Sequence, residues 1–108
     1  MSIEVPIDEL FDEVTRWGFC YLLTVSDDER THLLALHPTV DADEGVLRFD
    51  AGGGRACDNA AARPRVSLVF PPAEHAEGYS LVVDGEATVT GALVDVRPTW
   101  AVLHRPAP

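Results

Sequence analysis

Apolar residues recur at three- and four-residue steps only near the start of the chain. Ile7, Leu10, Phe11, Val14 and Trp17 share one face of a helix predicted from Pro6 to Trp17. A proline suits the first turn, Asp8 and Glu9 suit its positive end, and Gly18 closes it. From Phe19 onward the apolar period is two. Phe19 to Ser26 predicts a strand with Phe19, Tyr21, Leu23 and Val25 on one face and Cys20 and Leu22 on the other. Both faces are largely apolar, so burial on both sides is expected. A polar turn, Asp27 to Arg30, leads into a returning strand from Thr31 to Val40, cut by Pro38. An acidic turn, Asp41 to Gly45, and a short third strand, Val46 to Asp50, follow.

Three glycines, Gly52-Gly53-Gly54, then open a short helix from about Arg55 to Ala62, which Pro64 cannot continue. Arg65 to Phe70 predicts a fourth strand, Pro71 to Gly78 a loop, and Tyr79 to Val83 a fifth strand. Asp84-Gly85 is a turn signal, and Glu86 to Val96 predicts a sixth strand broken by Gly91. The tail from Arg97 holds three prolines and is expected to be irregular, with a helical turn near Trp100 to Leu103. Six short strands with one interrupting helix predict a closed or nearly closed antiparallel barrel. No repeat, linker or low-complexity tract divides residues 1–108, which predicts one domain.

Hydrophobic residues make up 46% of the 108 positions, enough for a folded core. No apolar run is long enough to cross a bilayer as a helix. The first residues lack a basic stretch followed by an apolar one, so the cytoplasm is the expected location. The formal net charge is −10. No basic run interrupts that acidity, so neither nucleic acid nor a membrane surface is expected as a partner. A small anionic ligand needs only a local cluster of arginines, and Arg55, Arg63 and Arg65 lie close in sequence. Cys20 and Cys57 are far apart and are expected to be free thiols.

Most patterns that carry chemistry are missing. His32, His37, His75 and His104 include no pair with the i, i+4 spacing of a helical zinc site. His32 and His37 point to opposite faces of a regular strand, so no metal is expected. Ser26, Ser67 and Ser80 lie in strand-like runs with no Gly-x-Ser-x-Gly context. Cys57 lies near Arg55, which favours a thiolate, but packing of a small residue is the simpler account. The glycine segment fits neither the P-loop nor the dinucleotide fingerprint. Glycine amides at a helix start, next to an arginine, suit a phosphate group. A turn that requires positive φ accounts for the same glycines without a ligand, and on spacing alone it is the stronger account.

The order of segments carries more. The run GGGRACDNAAARPRVSLVF, followed by YSLVVDGEATV and preceded by the hairpin-like YLLTVSDDERTHLLALHPTV, resembles the pyridoxamine 5′-phosphate oxidase-like family. These are flavin- or deazaflavin-binding split β-barrels. The resemblance runs from about Phe19 to Val96. The family's Ser-Arg-Lys turn, its Asn-bearing helix and its Asn-Pro-Arg-Val are met by Gly54-Arg55-Ala56, Asn59 and Arg63-Pro64-Arg65-Val66. Its Val-x-Gly-x-Ala-x-Val is met by Val83, Gly85, Ala87 and Val89.

The resemblance implies a mainly β fold: a six-stranded antiparallel split barrel with an N-terminal helix and a short helix between the third and fourth strands. It implies a homodimer with two sites for FMN or a deazaflavin coenzyme at the subunit interface. Arg55, with Gly53 and Gly54, carries over as the phosphate contact. Arg48, Asn59 and Arg65 carry over as cofactor contacts or as residues that fix the helix and interface. The chain departs from the pattern at Asp50, where many flavin-binding members have threonine, and at Gly54 and Ala56, where they have serine and lysine. These changes remove charge-assisted donors and add a repelling carboxylate. Two functions therefore stand. One is an oxidoreductase of unspecified substrate, whose cofactor supplies the hydride chemistry, so that no catalytic residue is assigned. The other is a non-enzymatic dimeric relative with a degenerate phosphate site, binding another small ligand or none. A haem-binding split barrel would need the histidines set aside above.

Overall fold

The computed structural model describes every residue from Met1 to Pro108. The elements in chain order are β1 (Ser2–Glu4), α1 (Ile7–Val14), β2 (Cys20–Val25), β3 (Thr31–Leu36), β4 (Thr39–Asp41), β5 (Val46–Asp50), α2 (Gly54–Ala62), β6 (Arg65–Phe70), β7 (Ser80–Thr90) and β8 (Leu93–His104). All pairings are antiparallel, in the order β3-β2-β6-β7-β8-β5-β4. β8 is long enough to take β5 along its first half and β1 along its last.

The two edge strands, β3 and β4, are consecutive in sequence and joined only by His37 and Pro38. Such a link spans about 11 Å at most. The sheet must therefore curl until its edges meet at that corner, which gives a mainly β half-barrel with two helices. Strand alternation fills its interior with Cys20, Leu22, Leu47, Phe49, Leu68, Phe70, Leu81, Val83, Val94 and Val96, all fully buried. α1 adds Leu10 and Val14 to this core. α2 contributes only small side chains, Ala56, Cys57 and Ala60, which let it lie close against β2 and β7. No helix is long and apolar enough to cross a membrane.

The pattern-based expectation of six strands is corrected to eight. The predicted strand from Thr31 to Val40 is two strands, because Pro38 lacks the N–H a ladder needs and the chain crosses there from one sheet edge to the other. Asp84-Gly85 is not a turn. β7 runs straight through it, with a register shift between the two residues, and the reversal falls at Gly91, whose φ is +60°. Gly85 is required by close approach: a Cβ there would lie 2.7 Å from the Arg97 carbonyl oxygen and 2.7 Å from Val96 Cγ1. The tail expected to be irregular is the long strand β8. Pro98 stands opposite Gly85 and Thr99 is skipped in the register, so a bulge accommodates the proline. The predicted helical turn at Trp100–Leu103 is strand, and Ser2–Glu4 forms a strand that no periodicity announced. α1 ends at Val14 rather than Trp17, capped by the Thr15 backbone. Only one face of β2 is in the core; Tyr21, on the other, is exposed.

Candidate functional site

The segment after β5 is built by backbone chemistry. Asp50 Oδ1 accepts the Gly52 N–H at 3.0 Å, and the Ala51 N–H donates to the Ala92 carbonyl at 2.9 Å. Gly52, Gly53 and Gly54 have φ of +70°, +79° and +72°. Nothing lies within 4 Å of a Cβ placed on any of them, so left-handed backbone, not crowding, demands glycine here. Gly53 caps α2 without a side chain, and the first helical turn carries no acidic residue. The first N–H groups of α2 therefore lack a side-chain partner and add a partial positive charge beside Arg55.

Three polar contacts fix α2 against the sheet. Buried Asn59 donates from Nδ2 to Thr24 Oγ1 at 3.2 Å. Arg63 donates from Nε to the Val25 carbonyl at 2.7 Å and from Nη2 to Asp27 Oδ1 at 2.6 Å. This fastening ties the C-terminal end of α2 to β2 and the β2–β3 turn. Arg55, from the first turn of the helix, lines a polar cleft of ≈ 340 Å³ with Ser26, Asp28, Arg30, Thr31 and His32. The Arg55 guanidinium takes part in none of the ion pairs of the chain. Asp28 accepts from the Ser26 hydroxyl and pairs with Arg30 Nε at 3.4 Å. The Ser26 hydroxyl, with smaller help from Arg55, holds the Asp28 carboxyl below its ordinary range. His32 Nδ1 is buried without a partner.

The sequence-predicted residues thus separate. Gly53, Gly54 and Arg55 lie together at the mouth of α2. Arg48 is committed elsewhere: Nε and Nη2 donate to the two oxygens of Asp95 at 2.8 and 3.1 Å, and Nη1 donates to Asp41 at 3.1 Å. Asn59 fixes the helix from inside. Arg65 is exposed on the outer face of β6, opposite Glu86, in a second cleft with Ser67, Asp84 and Thr99. Asp50, read from sequence as a repelling charge, shapes the turn by accepting from Gly52. Arg30 and His32 were missed, because only the pairing of β2 with β3 and the docking of α2 bring them to Arg55. Burial pushes the Cys20 thiol up to about 12, and the buried Cys57 thiol donates to the Ala92 carbonyl at 3.7 Å. No cluster of three or more histidine, cysteine or carboxylate side chains is placed to hold a metal ion.

No family model matches the chain. The uncharacterized proteins Mb0449c of Mycobacterium bovis and MT0457 of Mycobacterium tuberculosis are each 35% identical to it over 118 residues, covering 96% of this chain and 82% of theirs. Among solved structures it resembles an FAD-binding protein of Mesorhizobium loti, with TM-score 0.73, 13% identity, and coverage of 95% of this chain and 96% of the other. An F420 reductase superposes with TM-score 0.67 and 19% identity over 86% of this chain and 94% of its own. A Corynebacterium glutamicum protein provisionally assigned as a pyridoxamine 5′-phosphate oxidase gives 0.68 and 9% over 98% of this chain and all of its own, 100%. The chain belongs to the family of the two mycobacterial proteins, and its fold is that of the pyridoxamine 5′-phosphate oxidase-like split barrels.

Proposed function

We propose that the chain binds a phosphate-bearing flavin-type cofactor, FMN or a deazaflavin coenzyme, at the Gly53-Gly54-Arg55 mouth of α2, and that it works as an oxidoreductase on a small molecule. The observation that carries this is the pairing of an uncommitted guanidinium, Arg55, with a helix start that has neither a side-chain cap nor an acidic first turn. That donor set fits a phosphoryl group. The resemblance to an FAD-binding protein and to an F420 reductase supports a flavin-type ligand. When bound, such a cofactor supplies hydride chemistry. The chain's own residues bind and orient it: Gly53 and Gly54 let the backbone approach closely, Arg55 neutralises charge, and Asn59 and Arg63 hold α2 in place. Arg48 serves the sheet in this reading, and Arg65 belongs to the outer face.

A second copy of the chain is the proposed partner. Tyr21, Leu23, Leu33, Val69, Val82 and Trp100 lie on the outer face, on strands paired in register from β3 to β8. Leu33 is 55% exposed, Trp100 43% and Tyr21 37%. A second copy over this face accounts for a β2 that is apolar on both sides.

One observation favours the alternative, a non-enzymatic relative that binds another small ligand or none: Asp28 already supplies a carboxylate next to Arg55. Titration with FMN, the deazaflavin coenzyme and riboflavin, followed by tryptophan fluorescence, separates the two. Saturable quenching by a phosphate-bearing ligand, lost by about tenfold or more in Arg55→Ala, is expected. Absence of quenching by either cofactor at tens of micromolar leaves the alternative standing.

A further inference from the structure

The cleft beside Arg55 has an unusual charge balance for this chain. Eighteen carboxylates face eight basic residues overall, and all eight are arginines. Yet Arg30 and Arg55 share the cleft with one carboxylate, Asp28. Two hydroxyls, Ser26 and Thr31, and the His32 ring complete its lining. The turn that carries Asp28 and Arg30 is ordered by its own hydrogen bonds: Ser26 N–H to the Arg30 carbonyl at 2.9 Å, Glu29 N–H to the Ser26 carbonyl at 2.9 Å, and Arg30 N–H to Ser26 Oγ at 3.3 Å. Arg63 pins the root of the turn through Val25 and Asp27. The root of the turn is therefore fastened to the C-terminal end of α2, and Arg55 from the first turn of the helix lines the cleft beside it, while the side chains of Asp28 and Arg30 are 64% and 85% exposed and free to exchange partners.

Resting on the proposal that Arg55 meets a phosphate-bearing ligand, we infer that Arg30 is a second cationic contact for that phosphate, and that Asp28 is an internal counter-ion which the ligand displaces. In the free protein Asp28 pairs with Arg30 at 3.4 Å and lies in the field of Arg55. An exposed aspartate is ionised throughout the neutral range, so the counter-ion is present there. An incoming anion has to replace one negative charge. A phosphodiester or carboxylate carries one negative charge and only exchanges like for like. A phosphate monoester carries about −1.5 to −2 at neutral pH and gains attraction from both guanidiniums. The device therefore selects a terminal phosphate monoester over a diester on the same scaffold, and so narrows the proposed cofactor to FMN, since the phosphate of the deazaflavin coenzyme is a diester. Asp28 and Arg30 act as specificity-determining residues for the ligand, not as catalytic ones.

Three ligands with one ring system test this: FMN, riboflavin 4′,5′-cyclic phosphate and riboflavin, titrated into the whole chain by calorimetry. The expected order is FMN tightest, with the cyclic diester close to riboflavin. Arg30→Gln is expected to weaken FMN by about tenfold and leave riboflavin unchanged. Asp28→Asn is expected to tighten the cyclic diester and narrow its gap to FMN. Both side chains are exposed, so folding is preserved and circular dichroism checks it. If Arg55→Ala loses FMN while Arg30→Gln binds it normally, the proposed phosphate site stands and this inference falls. It falls as well if Asp28→Asn leaves the gap between FMN and the diester unchanged. If none of the three ligands binds, the flavin proposal fails, and inorganic phosphate decides the inference. Amide shifts at Arg30 and Gly54 that vanish in Arg30→Gln keep it, and no shift there overturns it.

Discussion

Arg48 and Arg55 are the same residue seven positions apart, and the fold gives them opposite fates. Arg48 is held bidentate by Asp95 and by Asp41 across three strands, and these carboxylates keep its guanidinium protonated well above its ordinary range. Arg55 has no such partner. Arg48→Ala is expected to lower the urea midpoint, because it leaves Asp41 and Asp95 facing each other across β4, β5 and β8, while ligand affinity stays within about twofold. A large loss of affinity with unchanged stability would return Arg48 to the site. Nothing in the sequence distinguishes these two arginines. The partners of Arg48 come from the end of β4 and from distant β8, so its commitment is visible only once β5 lies between those strands. Asn59 behaves alike: it reads as a site residue until Thr24 is found beneath it.

At the scale of elements, periodicity located α1 and most of the strands, because burial of one face imposes the period directly, while the three glycines and Pro64 bracketed α2. The failures share one cause. Asp84-Gly85 is a strong local hairpin signal, but the glycine answers a demand from another strand, the approach of Arg97 and Val96. The prolines of the tail looked like breakers, yet Pro98 sits at a bulge and Pro106 and Pro108 follow the last strand. Local punctuation cannot report what a distant segment requires. Gly85→Ala is expected to cost about 1–3 kcal/mol of stability, since the added methyl meets backbone that cannot yield freely. Chemical denaturation measures it, and a neutral result would mean that β7 and β8 can separate at the bulge. The Gly52–Gly54 turn was legible as a turn of positive φ. The cleft that Arg55 lines was not, because the acidic run Asp27–Glu29 masks Arg30 in sequence.

For the molecule as a whole, the outer face of β3, β2, β6, β7 and β8 decides the proposed assembly. Leu33→Glu places a carboxylate at the β3 edge of that face, next to Leu23, and is expected to convert a dimer to monomer in sedimentation velocity, with the far-ultraviolet spectrum unchanged. A wild-type chain that sediments as a monomer at micromolar concentration would refute the assembly. The curl of the sheet has another consequence, for how the chain reaches this state. β2 must find β6, β5 must find β8, and β1 must find the end of β8, each across a long stretch of intervening chain. Only the hairpins β2–β3, β4–β5, β6–β7 and β7–β8 form between neighbours. The entropy of closing those long loops is spent before the distant pairings return anything. Folding should therefore proceed on the millisecond-to-second scale typical of non-local β topologies. The hairpins between neighbours are expected to form early, with the distant pairings of β2 with β6 and of β5 and β1 with β8 following them.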